Sequence, residues 1–201
     1  MTKFKYFENP EKYAVMLDGE HECDICNETK KCLDASLFYG DNEYSAFCMD
    51  CVSTGCIREL GAFGVDPDAA ELRKQLKSHS PSLNDQKIED EVKKLNDLLM
   101  YTTPHVPTWQ DFFWPAHCAD YCQYIGVAGQ AEFCELAESG DGKDLFESSL
   151  YGDLKDITDI DEVWDGLKKK KITDPHESWS PMAYLFRCTK CGALITIWDC
   201  D

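Results

Sequence analysis

The chain has 201 residues, of which 43% are apolar, so it can bury a core as one large domain or two small ones. Its 38 acidic and 20 basic residues give a formal net charge of −18, which argues against binding to nucleic-acid backbones or to anionic lipid headgroups. No stretch approaches the ~20 consecutive apolar residues of a membrane span. We therefore expect no nucleic-acid partner and no membrane insertion.

The first ten residues, Met1 to Pro10, lack the long apolar run and the small-residue cleavage site of a secretory signal. We therefore expect a cytoplasmic protein. In a reducing compartment the twelve cysteines are more readily metal ligands than disulfides. A thioredoxin-type redox couple is the alternative for each Cys-x-x-Cys pair, but no strand-helix-strand pattern surrounds any of them.

The first metal site is predicted by two Cys-x-x-Cys pairs separated by twenty-one residues. Two intervening residues allow one tight turn to direct both sulfurs at a single ion, and four thiolates complete a tetrahedral zinc shell. The predicted ligands are Cys23, Cys26, Cys48 and Cys51. Such a closed shell has no open position for a substrate.

Residues between and after these pairs predict a zinc hairpin module over 1–64. The two strands are expected at Lys31–Tyr39 and Glu43–Phe47, joined by a turn at residues 40–42, and a helix at Val52–Leu60. This order of knuckle, hairpin and second knuckle at a helix start resembles a treble-clef or ribbon zinc module.

A helical insertion or linker is predicted over residues 65–107. Asp66 and Pro67 favour the start of a helix that continues to about Leu76. A second helix is predicted after Asp85 by apolar residues at helical spacing, which are Ile88, Val92, Leu95 and Leu99.

The third segment, residues 108–201, begins with an aromatic stretch. Thr108 can cap a short helix that places Trp109, Phe112 and Phe113 on one face, most simply as core, and Pro115 must end it. Further short helices are predicted by apolar spacing at Gln130–Glu138, Leu145–Leu150 and Asp161–Lys168. The lysine run 168–171 is interpreted as a solvated face, because acidic residues flank it.

A second zinc site is predicted from a third Cys-x-x-Cys pair, Cys188 and Cys191, in the turn of a C-terminal β-hairpin over Ala183–Asp199. This knuckle needs two more ligands. Cys118 with Cys122, one helical turn apart, is the first choice, and His117 in place of Cys122 is the alternative. Otherwise these thiols are buried as small hydrophobic groups.

A catalytic site is the rival interpretation of the same stretch. It would use a pocket under the aromatic cluster with His117 or Asp120 as base, and an adjacent His117–Cys118 pair is a weaker possibility, since neighbouring residues rarely point at each other. An open three-ligand zinc would favour such an enzyme, and a closed four-ligand zinc would favour a structural role.

Motifs along nearly the whole chain belong together: Phe4-x-Tyr6, Pro10, the first two cysteine pairs with Gly55, Trp109-Gln110, Trp114-x-x-His117-Cys118-x-Asp120-x-Cys122, Gly126, and Tyr184-x-Phe186-x-Cys188-x-x-Cys191-Gly192. This set resembles the CbrC-like family of bacterial proteins, which is associated with tolerance to colicin E2. Met49 and Val52 depart from the family pattern without touching the ligands, and residues 67–100 match it less well. The resemblance implies a cytoplasmic bacterial protein linked to colicin tolerance or envelope stress.

Taken together, the sequence predicts an α+β fold with an N-terminal zinc hairpin module, a helical middle and a C-terminal zinc-knuckle hairpin. The predicted function is that of a zinc-stapled, non-catalytic interaction protein with a protein partner, and a zinc-dependent or Cys/His hydrolytic enzyme is the alternative.

Overall fold

The chain combines small antiparallel sheets with helices, in a computed structural model that describes residues 2–40, 43–137 and 140–201. Its strands are β1 (His21–Glu22), β2 (Thr29–Lys30), β3 (Cys32–Asp34), β4 (Ala46–Cys48), β5 (Gln123–Ala128), β6 (Met182–Arg187) and β7 (Leu194–Asp199). Its α-helices are α1 (Pro10–Tyr13), α2 (Met49–Ser53), α3 (Ala69–His79), α4 (Asp85–Thr102), α5 (Gln130–Leu136), α6 (Gly142–Ser149), α7 (Leu154–Ile157) and α8 (Ile160–Gly166). The predicted mixture of helix and sheet is thus confirmed.

The N-terminal part contains two small sheets. Strand β1 pairs with β2, and β3 pairs with β4 in the register Cys32↔Cys48. The predicted strand over 31–39 is correct only for its first part, because Asp34 accepts a hydrogen bond from the Ser36 N–H and starts a 3-10 helix at Ala35–Leu37. Of the predicted turn, Asp41 and Asn42 lie outside the described residues.

The helix predicted over 52–60 is divided in the structure. Helix α2 begins earlier, at Met49, and a separate 3-10 helix follows at Cys56–Leu60. Gly55 lies between them with φ 79°, a left-handed conformation that ends the first helix and that glycine adopts without steric cost.

Helices α3 and α4 confirm the predicted helical middle. Helix α3 is capped by the Asp68 carboxylate, which accepts the Glu71 N–H, two residues after the predicted cap. Helix α4 is capped in the same way by Asn84, and it buries all four apolar residues that predicted it. The Arg73 guanidinium joins the two helices through the Glu89 carboxylate at 2.6 Å.

The C-terminal sheet has the order β5-β6-β7, and both pairings are antiparallel. The β6–β7 hairpin was predicted, whereas β5 was not. A register irregularity lies between Tyr124 and Gly126 of β5. Gly126 has φ 131°, and a Cβ on it would lie 2.5 Å from Cζ of Tyr13, so only glycine allows this close approach.

Aromatic rings fill the main hydrophobic core, which draws on all three segments of the chain. At its centre the ring centroids of Trp114 and Phe186 are 5.0 Å apart and those of Tyr124 and Phe186 5.4 Å apart. A smaller cluster holds Phe133, Phe146 and Trp164 together between α5, α6 and α8. These helices are close to the predicted ranges, although Glu138 of the predicted 130–138 helix lies outside the described residues.

The predicted helix after Thr108 is wrong. Residues 108–113 form no helix, because the Trp114 N–H that would close the last turn donates to the Asp66 carbonyl at 2.6 Å and Trp114 forms a bridge with Pro67. The buried Asp199 carboxylate of β7 accepts the N–H groups of Trp109 and Gln110 at 2.8 and 3.0 Å. The aromatic stretch is consequently split: Trp114 is buried, while Trp109 is 43% exposed and Phe113 65% exposed.

No helix in the described part of the chain has the length and the apolar content needed to cross a bilayer.

Candidate metal centres

Two groups of soft ligands converge in the structure, and within each group the ligand atoms lie within 4.8 Å of one another. The first group consists of Cys23, Cys26, Cys48 and Cys51. The second consists of His117, Cys118, Cys188 and Cys191. Each group takes two ligands from one chain segment and two from another.

The first group is formed by a turn and a helix start. Cys23 and Cys26 lie in the tight turn that joins β1 to β2, where the Asn27 N–H donates to the Cys23 carbonyl at 2.8 Å. Cys48 ends β4 as the N-cap of α2, and Cys51 lies in its first turn. The Cys48 N–H donates to the Cys23 sulfur at 3.2 Å, a contact that stabilises negative charge on that sulfur.

Asp24 locks the two halves of this group together. Its carboxylate accepts the N–H groups of Ser45 and Ala46 at 2.7 and 2.8 Å, and its own N–H donates to the Ala46 carbonyl. The knuckle that carries Cys23 and Cys26 is therefore tied to the strand that leads to Cys48. Sequence analysis gave Asp24 no role, although an acid inside a Cys-x-x-Cys pair is the available signal.

The thiols of the first group differ in how readily they ionise. Burial raises the pKa of Cys23, but N–H groups of Cys48, Cys26 and Ile25 outweigh it and lower that pKa to about 7. Burial and the neighbouring thiols raise the pKa of Cys51 well above the ordinary value. The Cys23 sulfur thus ionises easily, and its negative charge opposes ionisation of the other thiols. A bound divalent cation would offset this repulsion between thiolates.

Cys32 is a fifth cysteine beside this group. It is buried opposite Cys48 in the β3–β4 ladder, and its sulfur points toward the His21 carbonyl at 3.5 Å. Burial, and then the charges of the neighbouring thiols, raise the pKa of Cys32 to about 11. It therefore remains a protonated packing residue.

The second group is formed by two turns. Residues 117–120 close a two-residue hairpin in which the His117 N–H donates to the Asp120 carbonyl at 2.9 Å. Cys118 and Ala119 between them have φ 55° and 57°, as a type I′ turn requires. The opposing turn joins β6 to β7 and carries Cys188 and Cys191, with Gly192 at φ 77°.

The structure corrects the predicted membership of this group: its fourth ligand candidate is His117, the predicted alternative, and not Cys122, the predicted first choice. The argument for Cys122 assumed that residues 118–122 are helical, but Cys118 is left-handed and Cys122 has already entered the approach to β5. Cys122 is fully buried, its N–H donates to the Pro115 carbonyl, and burial raises the pKa of its thiol. It is a core residue.

Lys190 is a residue of this site that sequence analysis missed. Its ammonium group donates to the carbonyls of Cys118 and Ala119 at 2.8 and 3.2 Å, so it holds one turn against the other.

One ligand-to-ligand distance in each group is close to the edge of a zinc tetrahedron, and the remaining ligand atoms lie within 4.8 Å of one another. With Zn–S and Zn–N bonds of about 2.3 and 2.05 Å, a tetrahedron has S···S edges of about 3.8 Å and N···S edges of about 3.6 Å. The sulfurs of Cys26 and Cys48 are 3.9 Å apart. Nδ1 of His117 lies 3.5 Å from the sulfur of Cys191. Both groups can therefore hold a metal ion.

Asp120, the other residue considered as a base, belongs to a buried hydrogen-bond network. Its carboxylate accepts the Tyr6 hydroxyl at 2.8 Å, the Tyr121 N–H at 2.9 Å and the Lys5 ammonium at 2.9 Å. The N-terminal segment is thereby anchored to the turn that presents His117 and Cys118.

The family of the chain follows from its whole length. A model of the uncharacterised protein family UPF0167, also known as the CbrC-like family, matches residues 1–200. The chain belongs to this family. The resemblance predicted from its cysteine pairs and aromatic motifs is thus confirmed. No solved structure matches the chain.

Proposed function

We propose that this CbrC-like protein is a non-catalytic interaction protein whose fold is held by two structural zinc ions. The observation that carries the proposal is the count of ligands: each group has four soft donors within 4.8 Å of one another. A four-donor shell is closed, whereas catalytic zinc sites keep one position open for water or substrate.

Zinc is the ion that suits these donors. Four thiolates, or three thiolates and one imidazole, are the usual shells of structural zinc, and oxygen donors preferred by Mg²⁺ and Ca²⁺ are missing from both groups. Cys23, Cys26, Cys48 and Cys51 would hold the first ion. His117, Cys118, Cys188 and Cys191 would hold the second, with Nδ1 as the imidazole ligand.

The two residues considered for an enzyme are otherwise engaged. His117 is a ligand candidate, and the Asp120 carboxylate accepts hydrogen bonds from Tyr6, Tyr121 and Lys5. Binding is the remaining role that we propose, with a protein as partner. Nucleic acid is an unsuitable partner at a net charge of −18, and two lysines of the run 168–171 form ion pairs, Lys168 with Glu177 and Lys171 with Glu135.

The test is metal analysis of the purified wild-type protein combined with X-ray absorption at the zinc edge. We expect two zinc ions, with an average shell of seven sulfurs and one nitrogen per two ions and no water ligand. One metal ion per chain would contradict the second structural site, and an oxygen ligand at that site would contradict the structural role and favour hydrolytic chemistry.

The biological setting is proposed from the family alone. We propose a cytoplasmic protein that contributes to tolerance of colicin E2 or to the envelope-stress response of its bacterial host. Deleting the gene should raise the sensitivity of that host to colicin E2, and a copy with Cys23 and Cys48 replaced by Ser should fail to restore tolerance. Full restoration by that copy would separate tolerance from metal binding.

A further inference from the structure

A surface groove of about 690 Å³ lies between residues 110–113, helix α7 with the turn before it, the end of β7 and the first turns of α3. It takes its walls from four separate chain segments. None of its residues is a ligand of either metal group.

The apolar part of the groove is unusually open to solvent. Phe113 is 65% exposed and Ile157 is 72% exposed, and these are the two most exposed large hydrophobic side chains in the described part of the chain. Both line the groove, together with Leu154 and Ile197. Isolated exposed apolar residues are common, but their concentration in one concave surface is typical of a binding site.

The rim of the groove is negative. Asp68, Glu71, Asp111 and Asp153 line it, and Lys74 is the one basic residue among its lining residues. Lys74 is already paired with Glu71 at 3.0 Å.

Two of the other rim carboxylates, those of Asp68 and Asp111, are held by neutral groups. The Tyr151 hydroxyl donates to Asp68 at 2.9 Å, and the Tyr39 hydroxyl donates to Asp111 at 2.7 Å. Such hydrogen bonds fix the carboxylates in position without neutralising them. No ion pair within the described residues involves Asp68, Asp111 or Asp153. The negative charge is therefore available to a partner.

We infer that this groove binds a protein segment that carries an apolar anchor flanked by Lys or Arg residues. The anchor would bury Phe113 and Ile157, and the flanking cations would meet Asp111 and Asp153. The inference rests on the proposed interaction role and names the chemistry of its partner.

Charge decides between this partner and other occupants. A second copy of the chain would bring two acidic rims together at a net charge of −18 on each molecule. An anionic bilayer would be repelled in the same way. A basic segment gains both the apolar contact and the ion pairs, and its association is accelerated by the field of the whole protein.

The probe is a fluorescein-labelled amphipathic peptide of Leu and Lys, and its binding to the full-length, zinc-loaded protein is measured by fluorescence anisotropy at two salt concentrations. We expect saturable binding that weakens with salt. Replacing both anchors of the groove, Phe113→Ser with Ile157→Ser, should raise Kd at least about tenfold. Asp111→Asn with Asp153→Asn should raise Kd several-fold and flatten the salt dependence.

Matched controls test whether the effect belongs to the groove. Leu136→Ser removes another exposed apolar residue, and Glu20→Gln with Glu22→Gln removes two exposed charges at a distant hairpin. Both control variants should leave Kd unchanged. A control peptide with Glu in place of Lys should fail to bind the wild-type protein. Equal losses in the control and groove variants would overturn the inference.

Two further outcomes would also overturn it. One is tighter binding to vesicles of anionic lipid than to the peptide, abolished by the anchor variant, and the other is a wild-type dimer that the same variant dissociates. Zinc content is measured in every variant. If the peptide binds equally well to the groove variants while both zinc sites are occupied and closed, only the groove inference is refuted. If a zinc site is missing or open, the proposed structural role is refuted.

Discussion

Replacing His117 and Cys122 in turn separates the two ligand sets for the second metal site. We expect His117→Ala to lose the second zinc and retain the first, so that its zinc content falls to about half that of the wild type under a competing chelator. The imidazole Nδ1 is 3.5 Å from the Cys191 sulfur, close to the edge of about 3.6 Å that a tetrahedral zinc shell requires.

Cys122→Ala should retain both zinc ions. It removes one buried sulfur from a core position, which we expect to cost about 1–2 kcal/mol of unfolding free energy. For a chain of this length that loss corresponds to a Tm lower by about 2–8 °C. The two variants therefore differ in kind, since one changes the zinc count and the other changes only stability.

The assay is elemental analysis after dialysis against the chelator, paired with thermal unfolding followed by circular dichroism. His117→Cys serves as a matched variant, because a thiolate at the same turn should restore the second ion with an all-sulfur shell. A Cys122→Ala protein with one zinc, beside a His117→Ala protein with two, would refute our assignment.

Three further predictions concern the scaffold. Burial lowers the pKa of His105, so the unfolded state binds the proton more readily: unfolding free energy should fall as pH drops below about 6.5, and His105→Phe should reduce that slope in urea titrations at several pH values. Gly126→Ala should destabilise the fold by about 1–3 kcal/mol, because its φ is 131° and the new Cβ would meet Tyr13, and a wild-type Tm would contradict this. Asp120→Ala leaves the buried Tyr6 hydroxyl without its acceptor and should cost about 2–3 kcal/mol, measured by chemical denaturation, whereas Asp120→Asn should recover part of the loss.

Local sequence signals predicted the elements that depend on local chemistry. The Cys-x-x-Cys spacing indicated all three knuckles, and the spacing of Ile88, Val92, Leu95 and Leu99 predicted α4 and its buried face. The alternation around the third pair predicted the β6–β7 hairpin. Each of these signals lies within one element, where periodicity and turn chemistry decide the conformation.

The remaining features depend on distant residues. The stretch after Thr108 has the spacing of a helix, but the Trp114 N–H that would close its last turn donates to the Asp66 carbonyl, and Trp114 forms a bridge with Pro67 instead. The choice of Cys122 over His117 failed for a related reason. Cys118 and Ala119 have a left-handed backbone, which sequence usually signals by Gly, Asn or Asp, and neither residue is one of these. The turn changes the direction of the chain and therefore the positions of the residues that follow. Helical spacing is informative only where the backbone is helical.

In the proposed two-site arrangement, the separation of ligands along the chain also sets an order for metal loading during translation. All four ligands of the first group lie between Cys23 and Cys51, whereas the second group needs Cys188 and Cys191 in addition to the turn at residues 117–118. The first ion can therefore bind while most of the chain is still being synthesised. The second ion closes a loop of about seventy residues, and it can do so only after β6 and its turn have left the ribosome. A nascent chain stalled before Cys188 would thus carry one metal ion, and acquisition of the second would report that synthesis has passed this point.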